Sequence, residues 1–158
     1  MDSAAPSRGP YRLIYHSRFS PSFPKAPADQ DHEIGQIIQA SIRNNRLASI
    51  TGMLLVRGDQ FLQVLEGPAA AVQATYQRIG YDRRHISARM LDGSRADRRQ
   101  FADWNMCAHR LSKADDAILA TLDLGANLDL AQLDGERALK LLLAVRHVQA
   151  STLARGVG

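Results

Sequence analysis

The stretch ITGMLLV (50–56), RGD (57–59) and QFLQVLE (60–66) decides the fold. Two apolar runs of strand length flank a short joint containing Gly58, which reads as a β-hairpin. Downstream, Gly67-Pro68 breaks the second strand and opens a helix with Val72, Tyr76 and Ile79 on one face. His85 to Leu91 alternates through Ile86, Ala88 and Met90 as a strand, and Phe101 to Leu111 reads as another. Upstream, Ile34, Ile37, Ile38 and Ile42 mark one face of a helix over about Asp31–Arg46, with Asp29 or Asp31 able to cap it. Tyr11–His16 is a short β-type run, whereas Ser17–Gln30 carries Pro21, Pro24 and Pro27 and reads as irregular. The order β-α-β-β-α-β plus one strand predicts an α+β, ferredoxin-like sandwich, two helices on one face of a sheet.

Past Leu111 the character changes. Ala114–Leu122 reads as a short helix, and Gly135–Leu153 as a longer one striped by Ala138, Leu141, Leu142, Val145 and Val148. Residues 11–112 therefore form the expected domain, 113–153 a two-helix extension, and 1–10 and 154–158 a loose arm and tail. The extension's apolar stripe suits docking on the helix-free sheet face, or an oligomer interface.

At 158 residues, 45% hydrophobic and 23% charged, the composition is that of one globular domain. A single cysteine excludes an internal disulfide framework and a multi-cysteine zinc cluster. No apolar run approaches a membrane span, and the first ten residues lack a secretory apolar core, so a soluble cytoplasmic protein without a metal site is expected. The net charge of +4 is carried between Arg78 and Arg110, where eight arginines face four aspartates. Internal, arginine-rich charge suits anion pairing or intramolecular salt bridges as well as nucleic acid.

Several polar residues stand where apolar ones belong. Ser41 and Asn45 continue the stripe of Ile34 and Ile38; Gln63 shares a face with Phe61 and Leu65; Tyr15 shares one with Leu13. A buried amide without a partner costs about 1–3 kcal/mol, so each needs one. Mutual hydrogen bonds or rim exposure satisfy that need; so does a polar-edged planar ligand between helices and sheet. Asn44-Asn45 also suits a helix end. Arg78 and Asp82, four apart on the second helix, fit an exposed ion pair or a clamp on hydroxyls and phosphate. Arg83-Arg84-His85 reads as a turn or a phosphate site. Trp104 and Met106 alternate as core residues of the last strand, with Cys107 turned away and unactivated.

The strings LIYHS (13–17), RNNRLASITGMLLV (43–56), FLQVLEG (61–67), RIGYDRRH (78–85) and RRQFADWNM (98–106), in this order, resemble the BLUF family of blue-light sensors using FAD. The resemblance spans about residues 11–110 and implies a flavin ring between the two helices. By motif, Tyr15 matches the photoactive tyrosine and Gln63 the glutamine between tyrosine and flavin. Asn45 matches the amide on the pyrimidine edge, with Asn44 and Ser41 beside it. Arg78 and Asp82 match contacts to the ribityl-phosphate side, with Arg84 and His85 adding to it. Trp104 and Met106 match the signal-relay residues. The implied mechanism has Tyr15 give an electron and a proton toward the excited flavin through Gln63, whose changed rotamer or tautomer then donates differently to the ring. FAD is the implied cofactor, with FMN the smaller option. The Phe19–Pro27 segment is longer than the family's usual connection.

The extension resembles the helical cap of short, stand-alone members, which leaves no length for a fused output enzyme and implies a homo-oligomer and a separate effector. The competing class is a nucleic-acid-binding ferredoxin-like module using Arg78–Arg110. It calls for exposed aromatics on the sheet, and the last strands offer mainly Phe101 and Trp104, so nucleic acid is the weaker expectation. A flavin enzyme is weaker again, for want of a catalytic base beside a separate substrate pocket.

Overall fold

The computed structural model describes residues 9–125 and 127–157, with side chains described as far as residue 148. Most of the expected 1–10 arm and the last residue of the tail therefore lie outside the described residues. The elements are β1 (Tyr11–Phe19), α1 (Pro27–Ala48), β2 (Thr51–Arg57), β3 (Gln60–Gly67), α2 (Ala69–Gly80), β4 (His85–Arg95), β5 (Ala108–Arg110), α3 (Asp116–Thr121) and α4 (Gly135–Val157). They build one five-stranded sheet in the order β4-β1-β3-β2-β5.

The hairpin forms as expected around Gly58-Asp59, with Arg57 paired to Gln60 and Gly58 at φ +57°, a conformation that favours glycine. The Pro-rich segment is shorter than the sequence suggests. β1 runs on to Phe19, and α1 starts at Pro27, whose fixed φ and missing N–H suit the first helical position. Neither Asp29 nor Asp31 caps α1; the preceding residue is Ala26, and Asp29 lies within the first turn, where its charge meets the helix dipole.

Two further expectations change. β4 extends to Arg95, and two register shifts against β1 interrupt its alternation. Met90 consequently faces Tyr15 and Ile86 faces Arg18, residues on opposite faces of β1, with Ser87 in the left-handed region at φ 57°. The strand expected over Phe101–Leu111 shrinks to Ala108–Arg110, paired parallel to β2, and the chain before it is irregular.

Both faces of the sheet are covered. One core joins Leu13, Leu54, Phe61 and Leu65 to Ile34 of α1 and Val72 of α2, with Ile37, Ile38, Ile42, Tyr76 and Ile79 half-buried around it. The other joins Ile14, Met53, Leu55, Leu62 and Val64 to Leu119, Leu130, Ala138, Leu141, Leu142 and Val145. The apolar stripe of α4 therefore packs on the face that α1 and α2 leave bare.

Candidate functional site

A cavity, partly open to solvent, lies between α1, α2 and the sheet. Its walls include Tyr15, Ser41, Asn44, Asn45, Gln63, Arg78, Asp82, Arg84 and His85. All the polar residues that resisted a structural reading thus meet at one place.

At the inner wall the Tyr15 hydroxyl donates to Gln63 Oε1 across the β1–β3 pair, where the two residues stand directly opposite. Gln63 Nε2 points at the Met106 sulfur, 3.2 Å away. Both side chains are buried. Burial, reinforced by Tyr76 and Asp82, pushes the Tyr15 phenol well above its ordinary pKa, so it stays protonated and donates. Tyr76 leans on the Tyr15 ring at 5.4 Å between centroids.

On α1, Asn45 is 3% exposed and its amide donates to the Asn105 carbonyl at 2.8 Å. Its carboxamide oxygen has no hydrogen-bond partner among the described residues and lines the cavity. Ser41 is half-buried and Asn44 exposed along the same wall.

The mouth differs from the sequence expectation in its pairing. Asp82 pairs with Arg84, not Arg78: it accepts the Arg84 backbone N–H at 2.9 Å and the guanidinium at 2.5 Å. Those Arg84 bonds hold the Asp82 carboxyl below its ordinary range, and the same bonds raise Arg84. Arg84 also reaches Glu33 on α1 at 3.4 Å. Arg78 donates to Thr75 Oγ1 at 3.2 Å and makes no ion pair among the described residues. His85 lines the cavity yet is spoken for by the fold: Nε2 donates to the Ile79 carbonyl at 2.6 Å, leaving Nδ1 to accept from Ser17 Oγ at 2.8 Å.

Trp104 and Met106 part company. The irregular backbone sends Met106, 6% exposed, to Gln63 and sends Trp104 to the opposite core, where Arg146 lies 6.0 Å from its ring. A regular strand would have kept both on one side. Burial pushes the Cys107 thiol up, which disfavours the thiolate.

Much of the basic stretch is engaged within the fold. Arg89 donates to the Ala131 carbonyl, Arg95 to that of Gly9, Arg99 to Thr51 and the Glu66 carbonyl, and Arg110 pairs with Asp31. Only Arg78 and Arg84 reach the cavity, so most of the +4 serves internal contacts rather than an anionic ligand. Phe101 is fully buried and Trp104 half-buried, so neither offers the open ring face on which a base stacks.

Sequence reasoning missed the far wall. Phe19, Phe23 and Phe61 cluster with ring centroids 4.2–6.0 Å apart, and Phe61 lines the cavity, so the Pro-rich segment packs behind that wall. The unused signal was the spacing of Phe19 and Phe23 beside the prolines. Glu66, read only as a strand residue, is fully buried.

The residues fit a flavin. An unpartnered amide oxygen on α1, the Gln63 amide on the sheet, apolar walls from Ile37, Leu54 and Ile79, and a cation at the mouth match a planar, polar-edged ring with an anionic tail. Such a fold and slot define a flavin-binding α+β domain. The family described as "Sensors of blue-light using FAD" (BLUF) matches residues 11–107. The chain belongs to that family. It is 32% identical over 117 residues to the Blue light- and temperature-regulated antirepressor BluF of Escherichia coli (strain K12), covering 73% of this chain and 28% of that protein. It thus spans little more than a quarter of that curated relative's length. Among solved structures it resembles BlrB, a BLUF protein in the dark state, at TM-score 0.63 and 31% identity over 89% of this chain and 98% of that one. The photo-activated state of BlsA shares the fold at TM-score 0.74 and 21% identity, over 84% and 91% of the two chains. No helix among the described residues is long and apolar enough to cross a membrane, and no group of described side chains is arranged to hold a metal ion.

Proposed function

We propose that Tyr15 and Gln63 are the photoactive pair, held by 11–112 as the sensor and read out through 113–153 as a helical cap. The observation that carries this is the Tyr15–Gln63 hydrogen bond at the cavity wall, with the second Gln63 group facing Met106. When bound, the flavin supplies a ring that absorbs blue light and takes up an electron and a proton. Tyr15, kept protonated by burial, holds the proton beside Gln63 Oε1. Gln63 carries an acceptor and two donors on one rotatable group, so turning it exchanges which of them faces the ring. Asn45 orients the ring through its unpartnered oxygen, Ser41 and Asn44 flank it, and Arg78, with the Asp82–Arg84 pair and His85, lines the tail side. Met106 rests on Gln63 in this arrangement and Trp104 does not, so Met106 is the residue placed to sense a turn of that amide.

FAD is the family's cofactor, and the same ring pocket accepts FMN. A cytoplasmic homo-oligomer acting on a separate effector protein is the assembly we infer, by analogy with a relative named as an antirepressor. The test is optical. Purified protein loaded with FAD is expected to show a small reversible red shift under blue light, absent in Tyr15→Phe and Gln63→Leu. Protein that binds no flavin, or variants that keep the shift, would refute the assignment. Sedimentation in dark and light checks the oligomer.

A further inference from the structure

The irregular segment 99–107 puts Met106 on one face of the sheet and Trp104 on the other, and something must fix where it starts. That point is Glu66, the penultimate residue of β3 and 0% exposed. Its Oε2 accepts from Arg12 Nε and Nη2, both at 2.9 Å. Its Oε1 accepts the backbone N–H groups of Gln100 and Phe101, both at 2.8 Å. A buried carboxylate is tolerable only when its lone pairs are filled, and here a guanidinium and two successive amides fill them. Arg99 closes the same junction from outside, donating to Thr51 Oγ1 at 3.1 Å and the Glu66 carbonyl at 3.3 Å.

From that anchor the segment is held at each step. Phe101 is fully buried, and its carbonyl accepts the Trp104 N–H at 3.2 Å. The Trp104 carbonyl accepts from Gly52 N–H at 2.9 Å, and Asn105 accepts from Asn45. A Cβ at Gly52 would sit 2.0 Å from the Val64 carbonyl oxygen of β3 and 3.3 Å from the terminal methyl of Met106. Met106 then meets Gln63. Glu66 and Gln63 are three residues apart on β3, so this one strand grips both ends of the segment.

We infer that the buried Arg12–Glu66 pair is a positioning device for the light-sensing site: by clamping the N–H groups of residues 100 and 101 it sets the register that places Met106, not Trp104, on Gln63. The inference rests on Gln63 being the photoactive amide. Releasing the clamp lets the segment slide, frees Gln63 Nε2 from its sulfur neighbour and lowers the barrier to its rotation.

Glu66→Gln removes the charge and sets an NH₂ against one of the donors; Arg99→Ala loosens the junction from its accessible side. Trp104 is the sole tryptophan, so it reports the segment's position in flavin-free protein. In that state Glu66→Gln is expected to shift Trp104 emission and raise its quenching by acrylamide. In FAD-loaded protein the dark recovery after blue light is expected to quicken roughly fivefold, the loss of about one hydrogen bond, with Arg99→Ala moving both readouts less in the same direction. Folded variants that keep wild-type quenching and wild-type recovery overturn the inference. If Glu66→Gln fails to fold, Arg99→Ala decides it by the same two readouts. Should wild-type protein give no photoproduct, the reading of Gln63 falls, while Trp104 quenching in the flavin-free variants still accepts or rejects the clamp.

Discussion

Asn45→Ala tests two roles of one side chain at once. The Asn45 amide donates to Asn105 at 2.8 Å, tying the last turns of α1 to the segment carrying Met106. Truncation leaves the Asn105 carbonyl without that donor, a loss of about 1–2 kcal/mol because the residue is half-buried and water meets part of the need. Alanine returns roughly 0.5 kcal/mol as the better helix former. The net destabilisation of about 1 kcal/mol should lower the melting temperature of flavin-free protein by roughly 2–4 °C for a chain of this size. The other half of the side chain, the unpartnered oxygen, faces the cavity. Removing one neutral hydrogen bond to the ring weakens binding by about 0.5–1.5 kcal/mol, or roughly 2- to 12-fold in Kd. Thermal unfolding by circular dichroism reads the first effect, and quenching of flavin fluorescence on titration reads the second. A lowered melting temperature with unchanged FAD affinity would show that Asn45 only pins the loop, and would remove it from the binding site.

Three further outcomes follow from the packing and the charges. Phe23→Ala, at a side chain 5% exposed against Phe19 and Phe61, should cost about 3 kcal/mol in denaturant unfolding. Leu142→Ala should cost about 2–4 kcal/mol because it lies wholly within the second core, whereas Val148→Ala, 44% exposed, should stay within about 0.5 kcal/mol. Equal effects would contradict the docking of α4. His16 is buried beside Gln60, and burial, helped by Arg18 and Arg89 against Asp129, lowers its pKa. The unfolded chain therefore binds the extra proton first, so stability is fully present above pH ~6.5 and is lost as pH falls through that value. Melting temperature should fall between pH 7.5 and 5.5 with a shallower slope in His16→Gln; equal slopes would refute the assignment.

The hairpin, both sandwich helices and the α4 stripe were legible because each rests on local periodicity: Gly58 marks the turn, and Ile34, Ile38 and Ile42 mark a face. The cavity-lining residues Tyr15, Ser41, Asn45 and Gln63 were legible as exceptions to that periodicity. What was not legible depends on contacts between distant segments. The end of the last strand is set by Glu66 gripping residues 100 and 101, and no local pattern near Trp104 announces a partner 35 residues upstream. The start of α1 at Pro27 was hidden because three prolines argue against regular structure in general while Pro27 alone suits a helix start. The pairing of Arg84 with Asp82 instead of Arg78 follows from the turn after α2, where residue 84 folds back on 82 and helical spacing no longer applies.

The two cores share a single sheet, and this limits how any change at the cavity can leave it. Tyr15 and His16 are adjacent on β1 and face opposite cores; Gln63 and Leu62 do the same on β3. A turned Gln63 side chain touches nothing in the α3–α4 layer directly. It meets Met106, whose segment carries Trp104 into that layer within two residues. The sheet interior is close-packed on both sides, so it resists a shift that would have to move every strand at once. The irregular segment beside β2 is held by a few discrete hydrogen bonds, each separately breakable at about 1 kcal/mol. The contacts that join the cavity wall to the α3–α4 layer at the edge of the sheet therefore run along Met106 and Trp104, and not through its middle.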